Sequence, residues 1–210
     1  MNIAVVNYEA GNIRSVQRAL QAVAGPQSSV EVTSNPQKIR DAYAVVFPGQ
    51  GAAGQCMNNL RQTRLAETVR ERISSGRPFM GVCVGLQLLF DHLEEDDTTG
   101  LEVLAGEVRR FPDRPGLKVP QIGWNSVQQI KPSPLWEGVP DNSYFYFVHS
   151  YYADPAPEIF DSVVGLTNYG FDFASAFTKD NWVATQFHPE KSGKWGLQLY
   201  ANFLKFAAGV

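Results

Sequence analysis

The feature that most constrains this chain is the alternation, in its first half, of short continuous apolar runs with stretches of helical periodicity. IAVVNY (3–8), VEVTS (30–34), AVVFPG (44–49) and RPFMGVCVG (77–85) read as strands. Between them, Ile13, Val16, Ala19, Leu20 and Val23 recur at helical spacing, as do Leu65, Val69 and Ile73 before the Ser75-Gly76 stop. Strands without polar alternation are buried on both faces, so this order predicts a parallel sheet covered by helices on both sides. From Leu101 the pattern changes to shorter segments rich in Val, Tyr and Phe: EVRRF, SVQQI, YFYFVHSYY, SVVGLTNY and NWVATQF. These predict an antiparallel extension. A closing helix from about Trp195 would bury Leu197, Tyr200, Ala201, Leu204 and Ala207. LQLLFDHL (86–93) reads as a helix continuing from the fourth strand. At 210 residues, with no repeat or linker, the expectation is a single domain spanning 1–210.

Bulk properties exclude several functions. A formal charge of −3 and the lack of a basic run argue against a nucleic-acid binder. No stretch approaches the ~18 uninterrupted apolar residues of a membrane helix. The first residues read as a strand and not as a signal peptide. Two cysteines, Cys56 and Cys83, are too few for a disulfide framework, so a reducing cytoplasm is expected.

Gly49, Gly51 and Gly54 spell G-x-G-x-x-G, the dinucleotide fingerprint. That motif should follow the first strand of its unit and meet an acid at the end of the next strand about 20 residues on. Here it follows the third strand, and the acids at that distance, Glu67 and Glu71, lie in a helical pattern. The context rejects a dinucleotide. A glycine turn can instead present free backbone N–H groups to a developing oxyanion.

The partner for such a turn is GVCVG, with Gly81 and Gly85 flanking Cys83 between a strand and a helix. A nucleophile elbow has this design: the turn projects the side chain, and the helix start favours a thiolate. A buried structural cysteine is the alternative. A reactive one needs a base, and the chain has three histidines. His188 precedes Pro189, which keeps it extended, so His188 and Glu190 share a face and the carboxylate can orient the imidazole. His149 is the rival base, without an acid two residues away. His92, beside the run EEDD (94–97), reads as solvated, and that run lacks metal-ligand spacing. No metal is expected.

In this combination the chain resembles the class I, or triad, glutamine amidotransferases: PGQG, GVCVGLQ and FHPEKSG stand in that family's order. NYEAGNIRSV, VPQIGWN, YFYFVHSYY and GLQLYANFL resemble more narrowly its members that serve as glutaminases of imidazole glycerol phosphate synthase. The resemblance covers nearly the whole chain and implies a flavodoxin-like α/β fold, L-glutamine as substrate and no cofactor. It implies Cys83 as nucleophile, His188 as base and Glu190 as its orienting acid. It implies backbone oxyanion donors at Gln50, Gly51 and Val84, and substrate contacts from Gln87, Ser150, Tyr151 and Tyr152. It further implies ammonia transfer to a separate (βα)₈-barrel cyclase subunit in a heterodimer, with Asn12, Trp124, Asn125 and Lys191 near the partner or the ammonia exit. Three positions depart from the common pattern: Glu9 for glycine, Gln50 for valine and Gln121 for histidine. A glutaminase of another pathway, a free cysteine hydrolase on the same scaffold, and a non-catalytic flavodoxin-like binding protein remain the alternatives.

Overall fold

The computed structural model describes residues 1–9 and 13–209. Five strands form its parallel part: β1 (Asn2–Val6), β2 (Ser29–Thr33), β3 (Ala44–Gly49), β4 (Phe79–Cys83) and a late strand, Trp182–Thr185. They lie in the order β2-β1-β3-β4 and then the late strand, every neighbour parallel. This is the 2-1-3-4-5 order of the flavodoxin-like sheet. β3 and β4 are buried along their whole length, as their unbroken apolar sequence demands.

Helices fill the crossovers. α1 (Ile13–Val23) buries Val16, Ala19 and Leu20. α2 (Pro36–Asp41), α3 (Ala53–Gln62) and α4 (Leu65–Ser74) pack in series, α2 on α4 and α4 on α3. Of these, only α4 was legible as periodicity. After Cys83 comes one turn of helix, α5 (Val84–Gln87), and at the chain's end α6 (Gly193–Ala208) packs on α1. α6 buries Leu199, Tyr200, Phe203, Leu204 and Ala207. Leu197 is exposed and Ala201 half-buried, so the buried stripe is rotated from the one read in the sequence.

The expected helix at 86–93 is corrected. The chain turns back after α5, and β5 (Phe90–Leu93) is a strand. Backbone N–H groups of Leu101, Glu102 and Val103 reach the carbonyls of Leu88, Phe90 and Leu89, claiming acceptors that a continued helix would have used. β6 (Thr98–Thr99) and β7 (Leu104–Arg110) flank β5.

The antiparallel extension contains β8 (Gln121–Gln129), β9 (Ser143–His149), β10 (Tyr151–Pro155), β11 (Val163–Asn168) and β12 (Asp172–Lys179), and the late strand is β13. β12 runs antiparallel to β13 and carries β10, β7, β5 and β6 beyond it, while β11 branches from β12 to the β8–β9 pair. The run YFYFVHSYY, read as one strand, is two. β9 pairs with β8, and β10 with β7 and β12, so the chain changes partners at Ser150.

The carboxyl ends of β3 and β4 meet at Gly49 opposite Cys83, with β13 alongside. Ligands of open α/β sheets bind at such ends. Glycines make the meeting possible. A methyl group on Gly85 would collide with the Phe47 carbonyl oxygen, and one on Gly49 would lie 2.6 Å from the Tyr8 hydroxyl and 2.7 Å from the Gly85 nitrogen. Gly25, by contrast, has open space around it. Gly85→Ala is therefore expected to lower unfolding free energy by about 3 kcal/mol or more, the upper end for overpacking, and Gly25→Ala to change it little. Urea titration of both variants checks this. Equal midpoints would refute the close-packing account of the elbow.

Candidate active site

Cys83 is the last residue of β4, buried, with φ 54° and ψ −114°. A positive φ at a residue with a side chain costs about 1–3 kcal/mol and persists only where its surroundings impose it. The strand end, the glycines on either side and the immediate start of α5 do so. The thiol borders a cavity of about 340 Å³, also lined by Gln50, Gly51, Val84, Gln87, Glu95 and Pro120, and closed by Val148, His149, Ser150 and Tyr151. That volume suits a small ligand.

His188 follows β13 in extended conformation (φ −100°, ψ 98°) and begins the turn Pro189–Lys191. Its Nδ1 is 2.7 Å from Glu190 Oε1, and both side chains are almost wholly buried. Tyr200 of α6 donates to Glu190 Oε2 at 3.3 Å. Burial and the Glu190 charge hold that phenol protonated, well above its ordinary value. Ser192 locks the base in place: its hydroxyl donates to the His188 carbonyl at 2.6 Å and accepts from the Tyr146 N–H at 3.0 Å.

The other nitrogen of His188, Nε2, is buried with no hydrogen-bond partner among the described residues, and Cys83 is near enough to favour its protonation. Burial opposes charge on His188. Cys83 and Glu190 outweigh it and push the imidazolium up to about 10. A carboxylate-oriented imidazole held beside a cysteine is the arrangement that activates a nucleophilic thiol.

His149 is placed otherwise. Its Nδ1 lies 2.7 Å from the Tyr151 carbonyl, so that nitrogen carries the proton and donates. Burial pushes it down to about 4, and rings of Phe111, Phe147 and Phe173 surround it. It stays neutral and is not oriented by a carboxylate. Gln121, opposite it on β8, is buried with no partner for either amide atom among the described residues. Glu9, another departure, has φ 64°, a conformation natural to the glycine it replaces.

Of the residues read from sequence, the cavity gathers Cys83, Gln50, Gly51, Val84, Gln87, Ser150 and Tyr151. Tyr152 is not part of its lining; that ring packs on Phe111 and Phe171 at about 5 Å. Trp124 is 55% exposed and meets the Tyr146 ring edge-on, and Lys191 Nζ lies 5.7 Å over the same ring. Ile122 and Tyr144 extend this outward face of the β8–β9 pair. Asn125 instead ties its amide to the Asn168 carbonyl. Asn12 lies outside the described residues.

Sequence reasoning missed Glu95. Its run EEDD reads as a solvated face, yet Glu95 turns inward, accepts from the Ala53 N–H at 2.6 Å at the start of α3, and borders the cavity. Burial raises its pKa. Gln186, missed as well, is fully buried beside Cys83.

The fold is that of the class I glutamine amidotransferases, and the chain belongs to that family. The model of the family described as Glutamine amidotransferase class-I matches residues 4–206. Among curated relatives, the chain is 47% identical to "Imidazole glycerol phosphate synthase subunit HisH" of Aromatoleum aromaticum, over 98% of this chain and 99% of that one. It is 48% identical to the protein of that name from Nitrosococcus oceani, over 97% and 96%. A solved glutamine amidotransferase superposes with a TM-score of 0.75 at 19% identity, covering 99% of both chains. A putative GMP synthase subunit from Thermoplasma acidophilum gives 0.73 at 17%, covering 100% of this chain and 94% of that one. These structures show the shared fold.

The two buried histidines set opposite limbs of the stability profile. Folded His188 holds its proton more tightly than an unfolded histidine near 6.5. Its contribution is complete below pH 6.5 and lost as pH rises through about 10. Folded His149 resists protonation, so its contribution is whole above pH 6.5 and lost as pH falls through about 4. Urea midpoints across pH should fall on both sides. His188→Gln should flatten the alkaline limb and His149→Gln the acid limb. An alkaline limb unchanged in His188→Gln would sink the assignment.

Proposed function

We propose that this chain, as one glutamine amidotransferase domain over 1–210, hydrolyses L-glutamine to glutamate and ammonia with Cys83, His188 and Glu190 as its triad. The observation that carries this is the buried His188–Glu190 pair beside a cysteine held at positive φ on the rim of an amino-acid-sized cavity. The Cys83 thiolate attacks the side-chain carboxamide carbon, and the carbonyl π pair moves onto oxygen. Backbone N–H groups of Val84 and of the Gln50-Gly51 turn receive that oxyanion; each such donor is worth about 3–4 kcal/mol in the transition state. The His188 imidazolium then protonates the leaving nitrogen as the C–N bond breaks, giving ammonia and a glutamyl thioester. Water, deprotonated by His188, attacks the thioester, and glutamate leaves as the thiol reforms. Glu190, tethered by Tyr200, keeps the imidazole in register throughout.

The other end of the cavity recognises the amino acid. The Glu95 carboxylate and the Gln87 oxygen suit an α-ammonium, and the backbone at Ser150 and Tyr151 suits the α-carboxylate. Neither a metal nor a cofactor enters these steps. A reducing, cytoplasmic setting suits a free cysteine nucleophile.

The ammonia goes to a partner in this reading, the (βα)₈-barrel cyclase subunit of imidazole glycerol phosphate synthase, for histidine biosynthesis. Two observations support it. Relatives sharing nearly half of the sequence over almost full length are named as subunits of that enzyme. The exposed Ile122, Trp124 and Tyr144 form an apolar face continuous with Val148 at the cavity, as an interface core requires. Lys191 lies beside it, and Asn12 and Asn125 are assigned to the same region by resemblance.

Cys83→Ala should abolish glutamate release and glutamine-dependent synthesis while leaving synthesis from ammonium salts intact. Retained glutamine-dependent activity would refute the nucleophile. Glu95→Gln should raise KM for glutamine about tenfold or more, with a smaller change in kcat, as loss of a charge-assisted contact predicts. Trp124→Ala should weaken cyclase binding about 30-fold, a hot-spot loss near 2 kcal/mol, with the urea midpoint unchanged. Unaltered binding by calorimetry would move the interface elsewhere.

A further inference from the structure

Gln186 is wholly buried one residue past the end of β13 and two before His188. Its backbone N–H is bound to the Ser175 carbonyl at 2.9 Å, which pins it to β12. Its side-chain amide spans two parts of the site. Nε2 points a donor at Cys83 Sγ from 3.8 Å, and Oε1 accepts from Gln87 Nε2 at 3.1 Å. Gln87 gives its other N–H to the Tyr151 carbonyl at 3.0 Å.

A primary amide has two N–H donors and one oxygen. With both donors of Gln87 committed, its oxygen is the atom left for a ligand, and a flip would set its oxygen against the two oxygens it now donates to. Gln186 is fixed by the same logic: its oxygen belongs to Gln87, so its nitrogen faces the sulfur. The titratable groups coupled to Cys83 are His188 from the turn after β13, Tyr8 after β1 and Cys56 of α3. Gln186 adds a neutral donor to that set, one that changes neither charge nor protonation during turnover.

We propose that Gln186 is a positioning residue for the glutaminase reaction: it donates to the Cys83 thiolate and, through the same amide, holds Gln87 with its oxygen toward the substrate's α-ammonium. This rests on the roles of Cys83 and Gln87 given above. One side chain then links the reacting sulfur to the group that reads the far end of the substrate.

The test compares wild type, Gln186→Met and Gln186→Glu. Methionine conserves volume without a donor or acceptor. Glutamate keeps an acceptor for Gln87 and sets negative charge beside the sulfur. Alkylation by iodoacetamide is followed across pH by mass spectrometry of the Cys83 and Cys56 peptides. Cys56, its thiol pushed up to about 11 chiefly by burial, is the internal reference. In Gln186→Met the pH of half-maximal Cys83 alkylation should move up by about one unit. It should move further in Gln186→Glu. KM for L-glutamine, from glutamate release, should rise about tenfold in Gln186→Met and much less in Gln186→Glu, a split that general loosening would not give.

Unmoved alkylation midpoints in both variants would overturn the donor role. A KM in Gln186→Met within about twofold of wild type would overturn the link to Gln87. Should Gln186→Met not fold by circular dichroism, Gln186→Glu carries the comparison of alkylation midpoint with KM by itself. Glutamate release that survives Cys83→Ala would remove the nucleophile assignment and this proposal together, an outcome told apart because it needs no change at Gln186.

Discussion

The left-handed backbone of Cys83 is the constraint to which the rest of the structure answers. A side-chain-bearing residue at φ 54° is held against a local penalty of about 1–3 kcal/mol. The energy comes from β3, β4 and β13, which are parallel, buried and packed so tightly that Gly49 and Gly85 have no room for a methyl group. The same strained turn sets Cys83 on the cavity and starts α5 at once behind it, at Val84. A relaxed loop would present a cysteine too, but in many orientations, and ordering it at each turnover would cost what the fold has already met in folding.

Charge around the cavity is set by burial and by pairing. The His188 imidazolium is held by Cys83 and Glu190 against the cost of burial. The Glu95 carboxylate, anchored to the start of α3, lines the cavity. His149, also in that lining, is kept neutral by burial and donates to the Tyr151 carbonyl. A neutral His149 beside the Glu95 carboxylate suits the cationic end of the proposed substrate, because an imidazolium there would repel it in a desolvated cleft.

How much of this was legible depended on whether the signal was local. β1, α1, β3, β4 and the elbow are written in continuous apolar runs, one clean helical period and three glycines. The His188–Glu190 pairing follows from Pro189 and the two-residue repeat of extended chain. What could not be read were features decided by distant partners. The segment 86–93 has helical periodicity, but Leu101, Glu102 and Val103 take its carbonyls and make β5 a strand. YFYFVHSYY gives no sign that it serves two sets of neighbours. Glu95 sits in an acidic run that looks solvated, and only α3, itself unread, turns it inward. Gln186 is an uncharged residue in a segment that reads as an apolar strand, and its meaning lies wholly in two atoms that approach it from β4 and α5.

The change of partners at Ser150 links recognition inside to recognition outside. Because side chains alternate along a strand, β9 sends Phe145, Phe147 and His149 inward and Tyr144 and Tyr146 outward, where β8 adds Ile122 and Trp124. Val148 belongs to the outer set and also reaches the cavity. Two residues later the backbone has left β8 for β7, and the freed stretch at Ser150 and Tyr151 becomes cavity wall. One continuous run of chain, β9 and the two residues after it, therefore carries both the exposed aromatic face and the stretch that lines the cavity. The partner strand β8 sets Ile122 and Trp124 beside Tyr144 and Tyr146, so the exposed face and the pocket wall are built on neighbouring pieces of the same packed layer.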